Sequence, residues 1–456
     1  MRCPLLVRRL YGMGAAGLNL RPGRESVTGM WHRRSVLGGL GAVGAGLALP
    51  ALAQFRVEIA GVGATQIPVA VARFRDEAAG GQPIAAIVRA NLERSGLFRG
   101  VDAPGALDET ARPVMAEWRA RAADALVAGS LTRLADGRFD VRYKLWDVVQ
   151  GEDLGGQSQA VVAADLRLAA HRISDAIFRQ LTGEPGVFAT RVAYVTRSAG
   201  RFSLIIADAD GEGAQVALAS PEPIISPAWS PDGRQLAYVS FETQKAVVWV
   251  QEVASGRRRM LANFRGSNSA PAWSPDGAQL ALTLSRDGGS RLFLLSAAGG
   301  EPRRLATGGG AGVIDTEPVF TADASTLYFV SDRGGGPQVY RMPVAGGAVE
   351  RVTFGGDYNI SPAPSPDGRA LAYVTRGGGG FRLMLMDLAS GRAQPLSDTR
   401  DDESPSFAPN GRLLLYATRA GGRDVLMTTT LDGRIKTRLL AAGIDMREPA
   451  WGPFGR

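Results

Sequence analysis

A motif recurs through the second half of this chain at nearly constant spacing, and repetition at such a period leaves few folds open. Five segments align: Ala228–Ser240 (AWSPDGRQLAYVS), Ala272–Leu284 (AWSPDGAQLALTL), Val319–Ser331 (VFTADASTLYFVS), Ala363–Thr375 (APSPDGRALAYVT) and Ser406–Thr418 (SFAPNGRLLLYAT). Their first residues stand 44, 47, 44 and 43 apart, and a partial sixth copy, Ala450–Phe454 (AWGPF), begins 44 after the fifth. Ala193 lies 44 before Ala237, within Val192–Thr196 (VAYVT), the second half of a motif whose first half is missing.

Each copy has strand chemistry. Leu236–Val239 and Val247–Val250 are rich in β-formers. Ser-Pro-Asp-Gly joins two such runs: Pro sets φ, Asp bonds the nearby backbone and Gly accepts a positive φ. Ala298-Gly299-Gly300 and Ala345-Gly346-Gly347 supply later turns, and 59 Gly and 26 Pro in 456 residues fit a turn-rich chain. Four short strands per repeat make a propeller blade, and no helical period suggests a solenoid. Second strands number six, marked by Ala193, Ala237, Ala281, Tyr328, Ala372 and Leu415, whereas first strands within 187–440 number five. The terminal AWGPF copy supplies the sixth, so the last strand is expected to complete the first blade. A six-bladed β-propeller over 187–456 follows, closed by its C-terminal strand so that sheet edges are hidden.

Residues 54–186 lack the repeat and read as a separate α/β domain. Ile67–Phe74 is a buried strand; Ile84–Ser95 is a helix with Ile84, Ile87, Val88 and Leu92 inward, stopped by Gly96. Ala125–Leu131 and Arg138–Val148 are strands joined by a loop holding Asp136-Gly137. Leu166–Leu181 is a helix with Leu168, Ile173, Ile177 and Leu181 on its inner side.

Residues 1–53 explain the charge. The net charge of +8 invites a nucleic-acid reading, but this segment holds seven arginines and one acid. Beyond it the 52 basic residues fall to 45 and the 44 acidic ones to 43, leaving +2, so no nucleic-acid partner is expected. Arg33-Arg34 precedes a short apolar run, Val36–Leu49, then Ala51-Leu52-Ala53. This is a twin-arginine-like export signal cleaved between Ala53 and Gln54, too short to span a membrane. An uncleaved anchor and a Sec-type signal stay open, as do starts at Met1, Met13 or Met30. The mature chain would carry no cysteine and one histidine, His171.

Few chemistries fit. Gly156-Gln157-Ser158-Gln159-Ala160 breaks the nucleophile-elbow pattern of a peptidase, and neither a P-loop nor a Rossmann fingerprint is present. His171 reads as a packed or solvated helix histidine. Asp208-Ala209-Asp210-Gly211-Glu212 hints at calcium but lacks the rest of an EF-hand loop, and a hairpin turn is preferred. No cofactor is expected, with propeller-bound calcium left open. Acids near the ring axis, Asp315, Glu317, Asp357, Asp402, Glu403 and Glu448, would suit a glycosidase pair, although repeat position alone places acids there. Trp229, Trp273 and Trp451 recur at equivalent positions and read as wedges between blades. The segments before each first strand differ: Pro221–Pro227, Gly266–Pro271, Gly312–Pro318, Gly356–Pro362, Asp401–Pro405 and Asp445–Pro449. Variable loops on one rim of a rigid ring form a binding funnel.

Joined stretches across both halves carry a resemblance. They include Leu92-Glu93-Arg94-Ser95-Gly96-Leu97-Phe98, Ala170-His171-Arg172-Ile173-Ser174-Asp175-Ala176-Ile177, Phe188-Ala189-Thr190-Arg191-Val192-Ala193-Tyr194, the Ser-Pro-Asp-Gly blades and Pro449-Ala450-Trp451-Gly452-Pro453. Together they resemble the TolB family, the periplasmic component of the Tol–Pal system of Gram-negative bacteria. The resemblance implies a non-enzymatic, monomeric periplasmic adaptor with no small-molecule substrate. It implies binding of the Pal lipoprotein by the propeller mouth and of TolA by the mature N-terminus, with other outer-membrane proteins as further candidate partners. The role it implies is outer-membrane integrity and envelope constriction during cell division. Carried over by position, the Pal-facing residues are Ser267, Asn268, Ala270, Thr316 and Glu317, followed by Asp357, Asn359, Glu403 and Glu448. The TolA-facing strand lies in Gln54–Thr65 and opens with Gln54, Phe55, Arg56, Val57, Glu58 and Ile59. Thr-Ala-Asp-Ala in the Val319–Ser331 copy departs from the pattern, and Ser267 stands where relatives can carry a bulkier polar residue. The alternative reading is a propeller hydrolase acting on envelope glycans or peptides.

Overall fold

The computed structural model describes residues 66–439 and 444–455. The first sheet has five strands in the order β2-β1-β3-β4-β5: β1 (Ile67–Val71), β2 (Phe98–Val101), β3 (Ala125–Arg133), β4 (Phe139–Asp147) and β5 (Glu152–Val161). β1 is parallel to β2 and β3, and the rest is antiparallel. β1 and β3 are almost wholly buried, as strands with both faces covered must be.

Helices Ile84–Arg94 and Leu166–Thr182 pack on each other and on this sheet. Along the second, Leu166, Ala170, Ile173, Ile177 and Leu181 share the buried row. Leu168 lies off that row and is only half-buried, which corrects its expected inward position. Gly183 ends the helix at φ 76, its N–H donating to Arg179 O at 2.8 Å. The sequence reading missed β2, β5 and the helix Met115–Ala120. β5 (EDLGGQSQAV) is a largely exposed edge strand held by backbone pairing to β4, so it has no apolar alternation to read.

From Arg191 the chain forms six four-stranded antiparallel sheets. In blade 1 the innermost strand is Asp445–Trp451, paired with Arg191–Ser198 through Trp451↔Val192 and Ala450↔Ala193. The C-terminal strand therefore closes the ring, as the repeat count required. The innermost strands of blades 2 to 6 are Ile224–Trp229, Asn268–Trp273, Asp315–Phe320, Asn359–Pro364 and Glu403–Phe407.

The repeated turn is self-bonded. Ser230 Oγ donates to Asp232 Oδ1 (2.6 Å), which also accepts the Arg234 N–H (3.0 Å), and Gly233 sits at φ 66. Thr321-Ala322-Asp323-Ala324 makes the same turn, with Thr321 replacing Ser and Ala324 at φ 59 replacing Gly. The tryptophans do wedge between blades: Trp273 Nε1 donates to Ala228 O (3.2 Å) and Trp229 Nε1 to Ala450 O (3.1 Å), each reaching the preceding blade.

Candidate binding site at the propeller mouth

The segments expected as rim loops are partly strand, because each innermost strand begins inside one. Each contains a proline at the same register, preceded by a residue that varies: Ser226-Pro227, Ala270-Pro271, Glu317-Pro318, Ser361-Pro362, Ser404-Pro405 and Glu448-Pro449. All six pre-proline residues have left-handed backbone, at φ 53, 49, 52, 54, 52 and 55 in that order. The ladder slips at the same place in every blade. Proline cannot donate to a ladder, so it is tolerated only where a strand has a free edge, and the innermost strand of a blade is such an edge. A left-handed non-glycine residue costs of order 1–3 kcal/mol, so six at one ring level form a built feature.

Around the ring from blade 1 these residues read Glu448, Ser226, Ala270, Glu317, Ser361 and Ser404. The two glutamates stand three blades apart, and each accepts the N–H of the next blade's serine. Ser226 N–H donates to Glu448 Oε2 at 3.1 Å, and Ser361 N–H to Glu317 Oε2 at 2.6 Å. Burial pushes the Glu317 carboxyl up to about 7; the Ser361 N–H opposes the shift and the Glu448 charge adds to it. Burial also raises Glu448. Glu403 is raised by burial too, against the pull of Arg447, whose Nε lies 3.0 Å from its Oε1 and 3.2 Å from Asp424 Oδ2. The inner ring thus holds three carboxyl groups raised by burial, two accepting a neighbouring blade's N–H and one facing Arg447.

Two residues before each dipeptide stands a buried side chain: Ile224, Asn268, Asp315, Asn359, Asp402 and Met446. Four are polar and pin the loop entering the blade. Asn268 Oδ1 accepts the Phe264 N–H (2.8 Å) while its Nδ2 donates to Phe264 O and Gly266 O. Asp315 accepts from Thr307 Oγ1 (2.6 Å) and Arg333 Nη2 (2.9 Å). Asn359 Nδ2 donates to Gly355 O (2.8 Å) and Gln338 Oε1 (2.7 Å). Asp402 accepts from Ser397, Thr399, Thr418 and the Leu383 N–H.

Asn268 and Asn359 therefore lie beneath the mouth, engaged in its loops, rather than on its surface. Thr316 is also buried, with Thr283 Oγ1 at 3.4 Å. Ser267 and Ala270 are half-buried on blade 3, Glu317 on blade 4, Glu403 on blade 6 and Glu448 on blade 1, while Asp357 is exposed near Arg376 (3.9 Å). Asp315 and Asp402, two of the six acids weighed for a glycosidase pair, are loop pins. Sequence reading missed Phe354, 73% exposed on the blade 5 loop with Arg351 stacked 5.2 Å over its ring. Ala53 and Gln54–Ile59 lie outside the described residues.

Comparison with known proteins matches both halves. A model described as "TolB amino-terminal domain" matches residues 55–154, and one described as "TolB beta propeller domain" matches 178–455. The chain belongs to the TolB family. A protein of Polaromonas sp. named "Tol-Pal system protein TolB" is 62% identical over 432 residues, covering 94% of this chain and all of that one. A TolB-family relative from Dechloromonas aromatica with the same name is 53% identical over 91% of this chain and 96% of its own. The crystal structure of TolB from Acinetobacter baumannii superposes with a TM-score of 0.78 at 37% identity, covering 86% of this chain and 97% of that one. As a TolB-family member the chain is a component of the Tol–Pal system, and its partners are proteins of that system. Among the described residues no helix is long and apolar enough to cross a membrane.

Proposed function

We infer that this TolB-family chain is a periplasmic adaptor that binds Pal at the propeller mouth and TolA through Gln54–Thr65. In that role it supports outer-membrane integrity and envelope constriction during cell division. The carrying observation is the mouth itself: a closed ring bearing six identical strained bulges, with loops pinned from below by Asn268, Asp315, Asn359 and Asp402. A surface held this rigidly loses little entropy on docking. Ser267, Ala270, Glu317 and Asp357, joined by Phe354, form the contacting set; Glu403 and Glu448 line the interior; Asn268, Thr316 and Asn359 support it. The N-terminal segment either docks on its own protein or is released to TolA, and Pal shifts that balance.

Deleting residues 54–65 and titrating purified TolA and Pal tests both arms. TolA binding should be lost with Pal binding kept, and unchanged TolA binding rejects the assignment. The hydrolase reading draws on the raised Glu317, a trait of a general acid. Both Glu317 and Glu448, however, are committed to a neighbouring blade's N–H. Turnover of envelope glycans or peptides that disappears in Glu317→Gln would support the hydrolase instead.

A further inference from the structure

Polar side chains run from the helical layer toward blade 1, buried at Asn91, His171 and Ser174 and half-buried at Arg94, Arg167, Asp208 and Asp210. Asn91 Nδ2 donates to His171 Nδ1 (2.9 Å) and Ser174 Oγ (2.9 Å), while Asn91 Oδ1 accepts from Arg94 Nη2 (2.9 Å). The bond from Arg94 fixes which end of the amide is oxygen. His171 Nδ1 must therefore accept, and the neutral ring carries its proton on Nε2. His171 is fully buried, and Nε2 points at the turn between Arg201–Asp208 and Gln215–Ser220. It lies 3.5 Å from Asp208 Oδ2 and 3.7 Å from Asp210 Oδ2, with no bond to either. Arg167 reaches both carboxylates, its Nε 3.3 Å from Asp208 and its Nη2 bonded to Asp210. Burial holds the Arg94 guanidinium below its usual range, and the Asp210 charge opposes that shift.

His171, Asp208 and Asp210 have the composition of a metal site. The hydrogen bonds argue otherwise. Nε2 bears the proton, the Nδ1 lone pair is taken by Asn91, and Arg167 is bonded to Asp210 and sets its charge 3.3 Å from Asp208. The turn keeps its own bonds, Gly211 N–H to Asp208 O (2.8 Å) and Glu212 N–H to Asp210 Oδ1 (3.1 Å).

We propose that Asn91–His171–Asp208/Asp210 is a latch joining the α/β domain to blade 1. Two arginines balance two aspartates around a neutral imidazole, so the Nε2–H can engage or leave without stranding a charge. A donor held just beyond bonding distance of two acceptors lets the turn shift by a fraction of an ångström and still be caught. One helical turn onward from His171, Asp175 holds the connecting segment by accepting the N–H groups of Phe188 (2.7 Å) and Ala189 (3.1 Å). Gly186 lies so close to Asp175 that an added Cβ would stand 2.4 Å from its Oδ1. Arg167, Asp175 and Asp208 wall a groove of about 730 Å³ that also takes in Arg191, Trp229 and Phe454.

Amide hydrogen exchange on the full chain tests this, with strand Gln235–Ser240 as internal reference. His171→Leu should speed exchange in 186–190 and 208–212 by about tenfold or more, as local opening does. His171→Gln, which returns an N–H near the Nε2 position, should stay slow. In a long-range proton–nitrogen spectrum the signal lost in His171→Gln should show Nε2 protonated and Nδ1 bare. If His171→Leu opens β3 as well, the Asp208→Ala/Asp210→Ala variant tests the latch from the propeller side, and 186–190 should still loosen. Unchanged exchange in 186–190 and 208–212, a proton on Nδ1, or stoichiometric Zn²⁺ uptake abolished by His171→Gln would each overturn the latch.

Discussion

Blades 3 to 6 and blades 1 to 2 share one inner-strand backbone but anchor it by opposite chemistry. Asn268, Asp315, Asn359 and Asp402 hold their incoming loops with hydrogen bonds, whereas Ile224 and Met446 sit at the same register in apolar clusters. Ile224 packs with Val195, Leu204 and Tyr238; Met446 packs with Tyr194, Leu415 and Trp451 among others. The left-handed bulge is retained in all six blades, so it does not depend on what lies beneath it. What the polar anchors add is direction: each reaches back into the loop that precedes its own strand. That loop is where the candidate partner-binding residues lie, and rigidity there is bought at the expense of burying polar side chains.

Exchanging the two chemistries breaks the comparison most severely at Asp402. Giving it the blade 1 side chain, Asp402→Met, takes the acceptor from three hydroxyls and one of two acceptors from the Leu383 N–H, and we expect a loss of about 3–5 kcal/mol in urea unfolding. A loss under about 1 kcal/mol would show that the anchors are interchangeable. The reverse exchange, Ile224→Asn, buries an amide in an apolar cluster and should cost about 2–3 kcal/mol by the same measurement. Glu317→Gln sharpens the picture through pH. A carboxyl raised to about 7 in the folded protein and ordinary when unfolded makes folding weaker above that pH, and stability recovers as pH falls through 7 toward 5. Asp175, raised to about 6 by burial, acts in the same direction. The melting temperature should therefore be lower at pH 8 than at pH 6, and Glu317→Gln should raise the pH 8 value and shrink the difference. Ala270→Gly should give the smallest effect. It relieves a φ of 49 and should stabilise by about 0.5–1 kcal/mol, visible as a higher urea midpoint.

Much of the propeller was legible because its signals are local and repeated. Ser-Pro-Asp-Gly encodes its own turn through Ser230 and Asp232, and five aligned copies with a partial sixth gave both blade number and closure by Ala450 and Trp451. The mouth was less legible. Asn268 and Asn359 entered as contact residues by position in the family resemblance, and position does not tell whether a polar side chain faces solvent or caps a backbone beneath it. Phe354 carried no sequence signal beyond a lone aromatic among glycines. Proline in a strand argues against a central strand, so the innermost strands were read as starting later than they do. β5 was missed because edge pairing through the backbone leaves no hydrophobic trace.

The sequence alone determined the period, the turn chemistry, the six-fold closure and the family resemblance, since each rests on residues bonded to near neighbours or on simple counting. Only the tertiary structure decided which polar side chains are anchors and which face outward. It alone brought Asn91, His171, Asp208 and Asp210 into one chain of contacts, because their partners lie 37 to 80 residues apart and burial is a property of what folds over them. Hydrogen bonds of that range leave no periodic mark in a sequence, and only packing shows which donor meets which acceptor.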